Sequence, residues 1–231
     1  MRKRDAAGSR VFAAVIAYGL AAVPHPAVAQ DAATVAGSYC LRGVHEVGSC
    51  MRLSPDGKFE YFLAYGAYDE AAEGTWRVAN GAVVVTTPAY DQRPTFSFKR
   101  MQASKSGAYD VIVEAQNGQP IPGIDVSVTC DGATKSAGVT QAGGFAVDCK
   151  GAPSTIALGL GMFGIIPQPI NVAAHAGADK VYVFGFTPGD LGKKRFADVP
   201  LRVEGDALEM TYTDTPISEL QSRPFRYVRE Q

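Results

Sequence analysis

Four cysteines are the residues whose type and spacing say most about chemistry in this chain. Four allow three pairings, and strand parity selects among them. Cys40 and Cys50 flank a turn at residues 43–48. Tyr39 and Leu41 alternate with Cys40, and Met51 and Leu53 with Cys50, so both sulfurs face away from the apolar side. Opposed residues of an antiparallel hairpin stand about 4.5–5.5 Å apart, within disulfide reach. The second pair has the opposite parity: Ile124, Val126 and Val128 share a face with Cys130, and Phe145 and Val147 share one with Cys149. These parities predict Cys40–Cys50 and Cys130–Cys149. A metal centre needs clustered thiolate or imidazole ligands. With the cysteines paired and His45 far from His175 in sequence, no metal and no cofactor is expected.

Other chemistry is sparsely represented. There is no G-x-S-x-G elbow and no cysteine without a partner, and histidine, the usual general base, is scarce. No catalytic residue is therefore assigned, and the protein is not expected to be an enzyme. Asp69, Glu70 and Glu73 form an acidic cluster that reads as a carboxylate pair for glycoside chemistry, as Ca²⁺ ligands, or as a solvated loop. No EF-hand spacing or second cluster accompanies it, so the loop is the expectation. Tyr61, Tyr65, Tyr68, Trp76 and Tyr90 combine apolar area with polar tips, which suits a ligand pocket; small barrels, however, are filled by their own side chains. The first four of these are the candidate ligand-binding residues. Residues 159–166, GLGMFGII, read as a buried edge strand or as an apolar loop that touches a partner or a membrane. Lys193, Lys194 and Arg195 read as a solvated loop.

The elements that position these residues follow from composition and punctuation. The chain has 231 residues, 46% hydrophobic and 19% charged, enough for one large domain or two small ones, with Gly 25 and Pro 14 marking many turns. A net charge of −1 leaves no nucleic-acid footprint. Residues 1–29 read as a secretory signal peptide: Arg2, Lys3, Arg4 and Arg10 precede an apolar run over residues 11–23, and Ala27-Val28-Ala29 forms an A-x-A cleavage site. Pro24 and Pro26 stop the run short of the roughly 18 residues a membrane span needs, so no stable membrane insertion is expected after cleavage. Export makes disulfides expected as well.

From residue 36 the pattern is strand, turn, strand. Residues 78–87, VANGAVVVTT, return as VEGDALEMT at 203–211, and RPTFSFKR at 93–100 is echoed by RPFRYVRE at 223–230. Two related β-meanders, 36–102 and 179–231, thus bracket a different middle. Residues 67–73 read as an acidic loop or short helical turn before a strand resumes at 74. Asn80-Gly81 is the strongest short hairpin signal.

In the middle, a strand is followed by Asn117-Gly118-Gln119-Pro120-Ile121-Pro122-Gly123, a second strand, a Gly-rich connection and Gly144-Phe145 opening a third. Val113, Gly118, Pro120, Ile121, Gly123, Val126, Val128, Thr140, Gly144 and Phe145 carry the pattern. It resembles the carboxypeptidase regulatory-like domain, over residues 108–178. The resemblance implies a prealbumin-like β-sandwich, an accessory interaction fold without catalytic residues. The flanking segments resemble the lipocalin-like meanders of bacterial envelope proteins through Gly37 and Tyr39, Asp56-Gly57-Lys58-Phe59 and Gly74-Thr75-Trp76, although the Trp of true lipocalins lies on the first strand.

The expected architecture is all-β: a duplicated antiparallel meander forming a barrel or sandwich, with a prealbumin-like β-sandwich inserted. The expected function is that of a periplasmic or secreted, non-catalytic binding module for an envelope protein or polymer. A lipocalin-like carrier of a small apolar ligand is the second reading, and a hydrolase acting through Asp69 or Glu73 the third.

Overall fold

Strict alternation of apolar and polar residues turns the first part of the chain into five antiparallel strands: β1 (Gly37–Arg42), β2 (Val47–Leu53), β3 (Lys58–Tyr65), β4 (Tyr68–Ala79) and β5 (Ala82–Thr86). The computed structural model describes residues 31–231, so the expected signal peptide lies outside the described residues. The middle contributes β6 (Thr95–Gln102), β7 (Tyr109–Glu114), β8 (Asp125–Cys130), β9 (Ala133–Val139), β10 (Phe145–Val147), β11 (Thr155–Leu160), β12 (Ile165–Asn171) and β13 (Val181–Thr187). The last part returns with β14 (Val199–Glu204), β15 (Ala207–Thr211) and β16 (Pro224–Arg229).

The outer strands close into an eight-stranded barrel in the order β1-β16-β15-β14-β5-β4-β3-β2. Two seams, β5 against β14 and β1 against β16, join the halves, so the two meanders share one core. Inward positions are mostly apolar: Tyr39 and Leu41, Met51 and Leu53, Phe59, Tyr61 and Leu63, Val83 and Val85, Leu208 and Met210, Phe225 and Tyr227 are all buried, with Ser49 and Glu70 the polar residues among them. Outward positions carry ion pairs such as Arg202–Glu209, Arg226–Glu204 and Arg42–Glu230. Apolar inside and charged outside is the inverse of a membrane-spanning barrel. A four-residue helix, α1 (Ala32–Val35), closes one end, where Tyr39 donates its hydroxyl to Val35 O at 2.6 Å.

Both hairpins of the repeated pattern form. Asn80 and Gly81 take φ of 51° and 77°, the left-handed pair of a type I′ turn. Gly205-Asp206 makes the equivalent two-residue reversal between β14 and β15.

The middle folds as two four-stranded sheets, β10-β7-β13-β6 and β12-β11-β8-β9, around a common core that includes Val111, Val126, Ile156, Tyr182 and Phe184. At the Asn117–Gly123 turn, Thr140 acts as a clasp: its hydroxyl donates to Ile121 O at 2.9 Å and accepts from Ile124 N at 3.0 Å.

Three expectations are corrected here. First, the sequence places β6 at the end of the first meander and leaves residues 180–186 open between the inserted sandwich and the second meander; β6 and β13 pair with each other, and β13 runs parallel to β7, inside the sandwich. The reason is that β14 takes the place beside β5, leaving β6 no partner in the barrel, while its Phe96 and Phe98 pack on Phe186 and Phe184. Second, of residues 67–73 all but Ala67 are strand rather than loop. Gly66-Ala67 is a two-residue turn, and β4 runs from Tyr68 with Tyr68, Glu70, Ala72 and Trp76 inward. Third, residues 159–166 do not form one buried edge strand. They divide into the end of β11, a 3₁₀ turn at Gly161–Phe163 and the start of β12, with Met162 and Ile166 exposed. On β12 the edge is blocked: Val172 N bonds Ser154 O, and counting along the register turns the nitrogen of Pro169 outward, where it offers no donor.

Candidate functional site

The barrel end opposite α1 holds the densest polar network among the described residues. Because β4 alternates from Tyr68, Glu70 points into the barrel and is 4% exposed. Three tyrosine hydroxyls donate to its carboxylate: Tyr61 to Oε1 at 2.9 Å, Tyr68 to Oε2 at 2.7 Å and Tyr212 to Oε1 at 2.5 Å. A buried carboxylate persists only when such donors replace water. Burial pushes the Tyr61, Tyr68 and Tyr212 hydroxyls well above the usual phenol range, and the Glu70 charge adds to the effect. Beside them Tyr227 shares a 3.0 Å hydrogen bond with Ser49, whose own hydroxyl bonds Phe62 O.

The segment returning from the sandwich covers this end. Ala71 N donates to Gly192 O and Lys194 N to Ala71 O, each at 2.8 Å, so residues 192–194 run alongside β4. Phe196 then enters the core, its ring edge-on to Phe59 and Tyr61 at 5.7 and 5.1 Å. Lys194 is 6% exposed; its ammonium lies 4.3 Å from the Tyr212 ring centroid and donates to the carbonyls of Thr213 and Asp214. Burial lowers its pKa, against the attraction of Glu70. The basic trio is thus only partly a solvated loop: Lys193 pairs with Asp190 at 2.8 Å, and Lys194 is a buried anchor.

Phe163 brings the sandwich to the same end, its ring 5.2 Å from Tyr68. Between the two bodies runs an open groove of about 550 Å³, lined by Phe62, Leu63, Ala64, Ala71, Phe163 and Leu191 with Asp69, Glu70 and Gly192. A second cleft of about 290 Å³, on the other side of the 190–195 segment, is more polar and includes Lys193, Arg195 and Asp214.

The residues singled out from sequence are distributed as follows. Tyr61, Tyr68 and Trp76 are core, with Trp76 Nε1 donating to Ser54 O at 2.8 Å. Tyr65 is half-buried and packs against that core, and Tyr90 lies under the Lys193 ammonium at 5.2 Å. Three of the four candidate ligand-binding aromatics are thus buried in the barrel core, Tyr65 packs at its edge, and Tyr68 also lines the more polar cleft. The acidic cluster is split by the sheet: Asp69 and Glu73 face solvent while Glu70 faces the core. Four residues of strand put Asp69 and Glu73 about 13 Å apart, beyond the roughly 5–9.5 Å that glycoside hydrolysis requires of its carboxyl pair. Among the described residues no group of three or more His, Cys, Asp and Glu is placed to hold a metal ion.

The sequence pattern does not single out Tyr212 as a partner of Glu70, Lys194 as a buried cation over the Tyr212 ring, or Phe196 as a core residue against Phe59 and Tyr61. The period-two run Tyr68, Glu70, Ala72, Gly74, Trp76, preceded by Gly66-Ala67, was the available signal for the burial of Glu70.

Both expected disulfides form. Cys40–Cys50 joins directly opposed residues of β1 and β2, and Cys130–Cys149 ties the end of β8 to the segment after β10 with Cα atoms 6.2 Å apart. Two disulfides fit an extracellular or periplasmic protein, and no helix among the described residues is long and apolar enough to cross a membrane. No family model, curated protein or solved structure matches the chain.

Proposed function

We propose that the protein is an exported, non-catalytic interaction module that binds an envelope protein or polymer along the groove between barrel and sandwich. The observation that carries this reading is Phe62. It is 49% exposed on the outer face of β3, at the edge of a groove whose other walls, Ala64, Ala71, Phe163 and Leu191, are also apolar. An aromatic residue left in water beside a ready-made apolar wall is the usual mark of an interaction site.

The two buried charged groups at this barrel end fit the same reading, because both are engaged internally. The Glu70 carboxylate is filled by three phenols, and the Lys194 ammonium by two carbonyls and a ring face. The middle sandwich is read as a carboxypeptidase regulatory-like accessory domain, whose Gly- and Pro-marked turn is clasped by Thr140.

A photo-cross-linking amino acid placed at position 62, with position 202 on β14 as the control, tests the proposal in intact cells. Discrete heavier adducts from 62 and none from 202 are expected. Equal labelling from both positions, or none from 62, would remove the groove as the contact surface.

A further inference from the structure

The two disulfides differ in setting. Cys130 is fully buried in the sandwich core, and Cys149 packs against that core. Cys40 and Cys50 lie on the outer face of the barrel and are half-exposed. Glu230 N bonds Ser38 O, and the β1–β16 register therefore turns the backbone groups of Cys40 toward β16. Cys40 and Cys50 are consequently a non-hydrogen-bonded pair, and their bridge replaces no rung of the ladder.

The barrel does not depend on this bridge for closure. β1 is held by β16 as well as by β2, and β2 by β3 over seven opposed pairs from Val47↔Tyr65 to Leu53↔Phe59. The chemistry around the sulfurs also favours exchange. Arg42 and Arg52 project from the same face two residues from Cys40 and Cys50; Arg42 is paired with Glu230 at 2.6 Å, so Arg52 is the cation that draws an attacking thiolate and stabilises the departing one.

The geometry points to Cys40–Cys50 as a thiol–disulfide exchange site for a dithiol reductant, opened and closed on a barrel that stays folded. A thiolate of the reductant attacks one of the two sulfurs. A mixed disulfide forms, the Cys40–Cys50 bond breaks, and the other cysteine leaves as a thiolate that solvent protonates. The second thiol of the reductant then attacks the mixed disulfide and releases the first cysteine. The protein ends as a dithiol and the reductant as a disulfide.

The test treats the oxidised protein with dithiothreitol, and separately with reduced thioredoxin, then traps free thiols with isotope-coded iodoacetamide and maps the peptides over time. Cys40 and Cys50 should be labelled about tenfold or more faster than Cys130 and Cys149, with the near-UV circular dichroism retained, and replacing the reductant by oxidised glutathione, which takes up the two electrons by the reverse exchange, should restore the bridge. Labelling of all four cysteines together, or of Cys130 and Cys149 first, would overturn the assignment. A Cys40→Ser/Cys50→Ser protein supplies the second reading. It should fold and keep the slow labelling of Cys130 and Cys149; failure to fold would show that the bridge is needed for closure and would equally overturn the proposal.

Discussion

The Tyr212 hydroxyl donates to Glu70 Oε1 from 142 residues away in sequence, and the bond crosses the barrel interior, since β5 and β14 stand between β4, which carries Glu70, and β15, which Tyr212 directly follows. It ties the first meander to the second at the barrel end where the inserted sandwich is attached. The energetic weight of this junction should be visible in single substitutions.

Glu70→Ala leaves three buried hydroxyls without their acceptor and removes the negative charge near the buried Lys194, and should destabilise the protein by about 3–5 kcal/mol. Glu70→Gln keeps the shape and part of the hydrogen bonding, and about 1–3 kcal/mol should be lost. Urea unfolding of both variants measures the order. Equal, small losses would mean that the network adds nothing to stability.

Burial raises the pKa of Tyr61, Tyr68, Tyr212 and Tyr227 above the ordinary phenol value of 10.0. Each therefore holds its proton more tightly folded than unfolded. The stability they contribute is complete below pH 10 and falls as pH rises beyond it. In a spectrophotometric titration near 295 nm the exposed tyrosines should ionise reversibly, and these four only together with loss of the near-UV signal. Smooth ionisation of all four in the folded protein would contradict the burial.

Glu114 behaves in the opposite sense. The Arg100 guanidinium at 2.6 and 3.0 Å and the Lys99 ammonium at 2.7 Å hold its pKa down at about 2, against an ordinary 4.5. Its contribution is present above pH 4.5 and is lost as pH falls towards 2. Glu114→Gln should flatten the acid limb of the stability curve in that window while leaving the alkaline limb alone. A parallel downward shift at all pH values would assign Glu114 a packing role only.

Gly74 occupies an inward position of β4 where a side chain has no room. A Cβ there would lie 2.1 Å from Thr86 O and 2.7 Å from the Phe59 ring. Since the nearer obstacle is backbone, Gly74→Ala should cost about 1–3 kcal/mol. Thermal melting decides: an unchanged midpoint would mean that β4 and β5 can part without penalty.

Alternation and turn chemistry act over a few residues, so most of what they control was legible. The parities of Cys40, Cys50, Cys130 and Cys149 follow from neighbours one or two positions away, and they predicted both bridges. Asn80-Gly81 and Gly205-Asp206 likewise announced their hairpins. The errors came where a local signal was outvoted or overlooked. The acidic letters of residues 69–73 suggested water, yet the pleat sends every second residue inward whatever its charge, and Tyr212 supplied a buried partner that no local window contains. Phe96 and Phe98 alternate as well for a barrel strand as for a sandwich strand, so nothing within 93–100 could assign them.

By itself the sequence determined that the fold is all-β in class, where the chain turns, which cysteines pair and that one hairpin pattern is used twice, because each of these depends on side-chain parity or on backbone angles set by adjacent residues. Only the tertiary structure decided that the meanders close on each other through β5–β14 and β1–β16, that β6 and β13 belong to the sandwich, and that Glu70 gathers three phenols while Phe62 is left in water. Those outcomes rest on competition between strands far apart in the chain for the same hydrogen-bonding edge. The winner of such a competition is set by the whole assembly and by no single stretch of it.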